Sequence, residues 1–242
     1  SFYEGVKFNY SALRAELDEI EKLYELNRKK FDKLKSKNPE NRVEDKNEEL
    51  YYLIRNMFNG LIDKKYSDAL LYFFINKTAY SGMIRYNAKG EFNVPFGRYP
   101  NLNTTLITKR HSDLLANTEI FNTDYKNIFE MAEANDFVFL DPPYDCVFSD
   151  YGNKEYKEGF NEDNHVSLAH DFRNLKCKAL LVIGRTPLTE KLYGDMIIDE
   201  YDKTYAVNIR NRFKSIATHI LISNYGTINE TILSKSLELA AY

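Results

Sequence analysis

The sequence predicts an α/β protein in which a helical module and an irregular hairpin precede a sheet layered by helices. Three observations carry this. From about Tyr10 to Lys37 apolar residues recur at helical spacing among charges (Leu13, Leu17, Ile20, Leu23, Tyr24, Phe31, Leu34). Gly82, Asn87, Gly90, Pro95 and Gly97 punctuate short β-prone pieces, as in a hairpin with irregular ends. Beyond Glu119, short apolar strands alternate with helical patterns, which is how a sheet covered by helices reads.

The long first helix carries Arg28, Lys29, Lys30, Lys33, Lys35 and Lys37 in its last turns. Such cations suit either the negative end of the helix dipole or a phosphate. Asn38-Pro39-Glu40-Asn41 breaks that helix, and a polar loop runs on to Asn47. Helices follow over Glu48 to Ile62 and Ser67 to about Lys77, the second with an apolar run from Leu70 to Ile75 that implies full burial. The hairpin pieces are Met83 to Tyr86 and Glu91 to Val94, and a helix from Thr104 to Ala116 comes next. Strands are expected at Glu119 to Asn122, Phe137 to Leu140, Ala179 to Ile183, Met196 to Tyr201, Thr204 to Ile209 and His219 to Ser223. Helices are expected at Lys126 to Ala132, Asn164 to Asn174 and Leu188 to Tyr193. The stretch from Ile197 to Ser223 reads as a closing antiparallel pair.

A chain of 242 residues can bury a full core as one large domain or one domain with an inserted module. Its 43% hydrophobic and 29% charged residues are an ordinary globular balance, and no run nears the roughly 20 apolar residues of a membrane helix, so a soluble protein is expected. Ser1 to Gly5 show neither a secretory signal nor an initiator methionine, so the chain is expected to begin inside a longer one. Cys146 and Cys177 lack metal-ligand spacing and disulfide density, which favours a reducing cytoplasm and no zinc. Net charge is −3, so any nucleic-acid contact needs a local basic surface. One exists between Tyr80 and Arg110, where Arg85, Lys89, Arg98, Lys109 and Arg110 face the single acid Glu91 among interleaved aromatics.

The chemistry-bearing candidate is Phe137-Val138-Phe139-Leu140-Asp141-Pro142-Pro143-Tyr144-Asp145. A buried strand runs straight into two prolines, so the chain turns in a stiff extended form at the strand's carboxyl end. Ligands of open α/β sheets bind at that end. The exocyclic amine of a nucleobase is a poor nucleophile and needs acceptors to hold its protons. The Asp141 carboxylate and the Pro142 carbonyl supply two, and Tyr144 offers a flat surface for a base. On its own the tetrapeptide also fits a plain strand-ending turn.

Asp141-Pro142-Pro143-Tyr144 resembles the catalytic motif of the DNA amino-methyltransferases. The run from Tyr80-Ser81-Gly82-Met83-Ile84-Arg85-Tyr86-Asn87 to Val94-Pro95-Phe96-Gly97-Arg98-Tyr99 is similar to the target-recognition hairpin of the Dam-like adenine methyltransferases. The resemblance implies a Rossmann-like, S-adenosylmethionine-dependent methyltransferase core with an inserted helical and β-hairpin recognition module. It divides the chain into 1–47, a long helix and linker that is part of or joins the catalytic domain; 48–117, the DNA target-recognition module; and 118–242, the catalytic α/β domain. It gives Asp141 and Pro142 the target amine and Tyr144 the flipped adenine, with Pro143 in the same catalytic turn and Asp124, Tyr125 and Asp141 as contacts of S-adenosylmethionine. Tyr80 becomes the wedge in the base stack and Arg85 the reader of a base edge beside Met83. Asn87, Asn93 and Arg98 touch phosphates, with Ser81 and Pro95 in the same element. Arginine suits bidentate contact with guanine. The implied partners are double-stranded DNA with a short adenine-bearing site and a cognate restriction endonuclease, with no metal, in the cytoplasm of a bacterial, phage or viral host cell.

The polar and aromatic loop from Phe148 to Phe160 is expected to close over substrate, and the four histidines to be structural or superficial. The sequence departs from the family in having no G-x-G turn. An amino-terminal segment or a separate chain is therefore expected to complete the cofactor site. Ser81, where relatives often have Asn, and Ile183-Gly184-Arg185, where a Ser-Asn pair is frequent, are smaller departures. Two other readings stay open: the same chemistry on cytosine or a non-DNA substrate, and a non-catalytic, sequence-specific DNA-binding protein derived from such an enzyme.

Overall fold

The structure, a computed structural model, describes residues 1–145, 160–205 and 215–225. The chain forms two compact units, Ser1–Asn122 and Thr123–Tyr242.

Helices α1 (Phe2–Phe8), α2 (Tyr10–Lys37), α3 (Lys46–Phe58), α4 (Asp68–Thr78) and α5 (Lys109–Ala116) build the first unit. Helix α2 has the bounds its periodicity predicts and buries Leu13, Leu17, Ile20 and Tyr24, successive positions on one face. Its core is shared with α3, α4 and the hairpin, whose Phe92, Val94 and Phe96 are also buried. Helix α4 is buried almost all round, through Leu70, Leu71, Phe73, Phe74 and Ile75, as its apolar run predicts. Ser67 caps it by accepting from the Leu70 amide.

Helix α1 has no counterpart in the sequence reading, because seven residues including a glycine carry little helical signal. A Ser1–Glu4 capping box starts it, and Phe2 stacks on Phe73 with centroids 5.7 Å apart. A Cβ at Gly5 would stand 2.5 Å from that of Ala69, so glycine is what lets α1 approach α4. The helix expected from Thr104 begins instead at Lys109. Thr104 is held outside it, its amide donating to Glu21 Oε1 at 3.1 Å and its carbonyl accepting from Arg14 Nη1 at 2.8 Å.

Helix α3 stops at Phe58 rather than Ile62, since Asn59 caps it and Gly60 turns the chain with φ +71°. The Asn59 amide then clamps the hairpin, accepting from the Phe92 amide at 2.8 Å and donating to the Phe92 carbonyl at 3.0 Å. Tyr51 donates to the Val94 carbonyl at 2.8 Å and Arg55 adds a bond of 3.2 Å. Burial pushes the Tyr51 phenol up to about 12, so near neutral pH it acts as the proton-bearing partner. These bonds explain why the expected strands of the hairpin reduce to two bridges, Tyr86 with Phe92 and Ala79 with Phe96. Side chains satisfy backbone groups that a ladder would otherwise take.

The second unit contains α6 (Tyr125–Met131), β1 (Phe137–Leu140), α7 (Glu162–Arg173), β2 (Lys178–Gly184), α8 (Pro187–Tyr193), β3 (Ile197–Tyr205) and β4 (Ser215–Ser223). Its four-stranded sheet has the order β1-β2-β4-β3, with β1 and β2 parallel and the other neighbours antiparallel. Leu181 and Ile183 of β2 and Ile220 and Ile222 of β4 pack with Leu168 and Phe172 of α7 and Tyr193 of α8. Residues 119–122, expected as a strand, form none among the described residues and leave Phe121 51% exposed. The strands expected at Met196 to Tyr201 and from Thr204 are one strand, with a register shift between Ile197 and Asp199. Their polar junction read as a break, but it lies on an edge strand, where Asp202 accepts from Thr218 at 2.8 Å and one face meets solvent. Residues 206–209, Cys146 and the expected lid over 148–159 lie outside the described residues. Among the described residues no helix is long and apolar enough to cross a membrane.

Candidate active site

Strand β1 ends on buried Leu140, and Asp141, Pro142 and Pro143 follow at the carboxyl end of the parallel pair. They line a cavity of about 290 Å³ together with Tyr125 and Phe129 of α6, Leu168 of α7 and Phe160. The lining is mainly aromatic and aliphatic, with Asp141 contributing a carboxylate. Tyr125 is fixed there by donating to Asp171 Oδ2 at 2.7 Å and by edge contact with Phe129 at 5.1 Å. Asp124 caps α6, accepting from the Lys126 amide at 2.9 Å, and is exposed. The fold thus brings Tyr125 together with the Asp141 turn and engages the Asp124 carboxylate in holding the helix that presents Tyr125.

Tyr144 and Asp145 continue the turn onto β2 and β4. The Tyr144 ring lies over Gly184, where an added Cβ would be 3.7 Å from its Cδ2, and meets the His219 ring edge-on at 5.1 Å. Asp145 Oδ2 accepts from the Thr186 hydroxyl, the N-cap of α8, at 2.6 Å. Arg185 pairs with Glu190 at 2.6 Å and with Glu200. His219 is 1% exposed, and burial, with Lys203 adding to it and Asp141 opposing, pushes its imidazole below the usual value. His165, at the start of α7, is fully buried beside Phe160, with ring centroids 4.6 Å apart. Among the described residues neither of its nitrogens has a hydrogen-bond partner, and desolvation holds its pKa down.

In the first unit the hairpin displays Tyr80, 54% exposed, whose amide donates to the Pro95 carbonyl at 2.9 Å. Ser81 and Gly82 are both left-handed, at φ 55° and 62°. A serine there stores backbone strain that asparagine tolerates better. Met83 is half-buried against the core. Arg85 is exposed and donates from Nε to Asn93 Oδ1 at 2.9 Å, so two of the expected contact residues are braced across the hairpin. Asn87 is engaged in the turn: its Oδ1 accepts from the amides of Lys89 and Glu91 at 2.9 and 3.0 Å, and its Nδ2 donates to Glu91 at 2.8 Å. Pro95 is exposed, and Arg98, at φ 57°, sits 3.4 Å from Glu48.

His219, Tyr201, Thr186 and Asp171 are neighbours of the site that sequence reasoning missed. No local signal marks them, since each reaches the site only through the pairing of distant strands or helices. Phe160, which by its place ahead of a helix reads as packing rather than as pocket lining, packs on the core and lines the pocket as well.

The chain is 40% identical over 159 residues to the Type II methyltransferase M.CviBI of Paramecium bursaria Chlorella virus NC1A, a match covering 64% of this chain and 60% of that protein. It is 34% identical over 194 residues to the Type II methyltransferase M.MjaIII of Methanocaldococcus jannaschii, covering 75% and 66%. With a DNA adenine methylase of Salmonella typhi it shares 28% identity over 172 residues, covering 69% and 59%. These matches span less than two thirds of the relatives' own lengths. The pattern of the D12 class N6 adenine-specific DNA methyltransferases matches residues 16–208, and the chain belongs to that family.

Proposed function

We propose that the protein transfers a methyl group from S-adenosylmethionine to the exocyclic N6 amine of a flipped adenine in double-stranded DNA. The observation that carries this is the Asp141-Pro142 turn opening on the cavity it shares with Tyr125 and Phe160, in a chain of this family. The aromatic and aliphatic lining suits the adenine of the cofactor, and Tyr125 and Asp141 are the residues to hold it. When bound, S-adenosylmethionine supplies an electrophilic methyl on a sulfonium. The Asp141 carboxylate and the Pro142 carbonyl would accept the two N–H bonds of the target amine, which leaves its lone pair free, and the carboxylate would take up the proton that the amine loses on methylation. Alignment is the main catalytic task, so Asp141 need not be a strong base. Tyr144 stacks on the base once it has left the duplex.

The first unit serves as the recognition module, with Tyr80 as wedge and Arg85 as reader. Exposure of both and the Asn93 brace on Arg85 support this. The second unit is half of a Rossmann-like sheet. Among the described residues its strand β1 is at the sheet edge, with Phe137 and Phe139 55% and 60% exposed, and the sequence has no G-x-G. We infer that a further parallel strand with a glycine-rich turn, on the same polypeptide or a separate one, adds to β1 and completes the cofactor site. A Type II restriction partner and a cytoplasmic setting are part of the same reading.

The deciding experiment measures transfer of labelled methyl to duplex DNA by the completed protein. Asp141→Ala is expected to lower turnover at least about a hundredfold while DNA affinity stays within about threefold. Wild-type turnover in that variant removes Asp141 from the mechanism. A completed protein that binds DNA but never transfers methyl favours the non-catalytic DNA-binding reading.

A further inference from the structure

Gly184, His219 and Tyr201 form one row across three strands, Gly184 paired with His219 between β2 and β4, and Tyr201 with His219 between β3 and β4. The row lies at the carboxyl end of β2, the end at which parallel β1 delivers Asp141. Tyr144 rests on it, with its ring over Gly184 and against His219. The His219 Nδ1 is 3.3 Å from the Tyr144 hydroxyl and 3.4 Å from that of Tyr201, and the Tyr201 ring lies 5.2 Å away at 40°. A buried imidazole thus presents one nitrogen to two phenols, one of which belongs to the Asp141 to Tyr144 turn.

We propose that His219 is a positioning residue for Tyr144, holding its ring in the plane against which the target base stacks, with Nδ1 as the acceptor for the phenol. This rests on the adenine reading above and adds a residue to it. The acceptor role requires a neutral imidazole with its proton on Nε2. The surroundings favour that state: burial and Lys203 of β3 oppose a positive charge, outweighing Asp141, which favours one. Across β2, Gly184 adds no charge, and the neighbouring Arg185 is paired with Glu190 and Glu200. Tyr201 approaches the same nitrogen with its ring tilted 40° to the imidazole; the one lone pair of Nδ1 serves one phenol at a time, the Tyr144 hydroxyl being the nearer, and turning the imidazole away would give up both contacts.

The test is a coupling experiment in the completed protein. His219→Leu, close in shape but without an acceptor, is expected to lower kcat about tenfold with little change in KM for S-adenosylmethionine. His219→Gln, whose amide oxygen still accepts, restores most of the loss. In a Tyr144→Phe background the His219→Leu loss largely disappears, because the link is already cut. Equal losses in the Leu and Gln variants, or an undiminished loss in the Tyr144→Phe background, overturn the proposal. An NMR titration of His219 needs no turnover: Tyr144→Phe is expected to raise its midpoint by about half a unit, since a donor to the neutral ring is removed. An inactive wild type that shows this shift rejects the adenine reading and retains the clamp; an unchanged midpoint rejects the clamp at any activity.

Discussion

The two units meet the demands of their irregular segments in different ways. In the first, a hairpin with almost no ladder is held by side chains of α3: Asn59 on Phe92, with Tyr51 and Arg55 on Val94. Its aromatic core closes around those anchors. In the second, Phe137 and Phe139 stay more than half exposed on β1, an outer strand among the described residues, and His165 is buried with no partner for either nitrogen among the described residues. A hairpin can be irregular in backbone and still well supported by its neighbours. A sheet can be well paired and still leave exposed rings on its outer strand.

Four substitutions break or sharpen that comparison. The largest effect is expected at Phe74, fully buried on α4: Phe74→Ala should destabilise the first unit by about 3–5 kcal/mol in denaturant melting. A cost below about 1 kcal/mol would show that this core is not what holds the unit together. Next comes Arg85→Ala, expected to cost about 1–3 kcal/mol of discrimination between cognate and altered DNA sites while methyl transfer survives. Unchanged preference removes Arg85 from the readout.

The third concerns pH. The folded-state pKa of His165 lies below its ordinary value of 6.5, so below pH 6.5 the unfolded chain binds the extra proton first. Stability is therefore flat in this term above 6.5 and falls as pH drops further, and His219 adds to the slope in the same sense. His165→Phe should flatten the acid limb and be neutral or mildly stabilising at pH 7, because it removes a buried polar group with no hydrogen-bond partner among the described residues. An unaltered limb would assign the acid sensitivity elsewhere. Smallest is Phe139→Ala in the present chain, within about 0.5 kcal/mol because the ring is 60% exposed. The same change should cost more once the proposed strand covers β1. Equal costs in both forms would argue that nothing packs there.

What the sequence determined by itself is whatever repeats or stops locally. Tyr10 to Lys37 announces its helix by spacing, Leu70 to Ile75 its burial, and Phe137 to Leu140 a strand halted by two prolines. The Asp141-Pro142 turn and the exposed Tyr80 and Arg85 were legible for the same reason, as short runs whose chemistry does not depend on distant partners. Helix α1 escaped because its stability comes from a cap and from packing on Phe73 rather than from propensity. The tertiary structure alone decided the sheet order β1-β2-β4-β3, the exchange of strand pairing for the Asn59 clamp in the hairpin, and the seat of Tyr144 on Gly184 and His219. Those join residues tens of positions apart, and the burial and hydrogen bonds that make them favourable exist only when the chain has brought both partners out of water together.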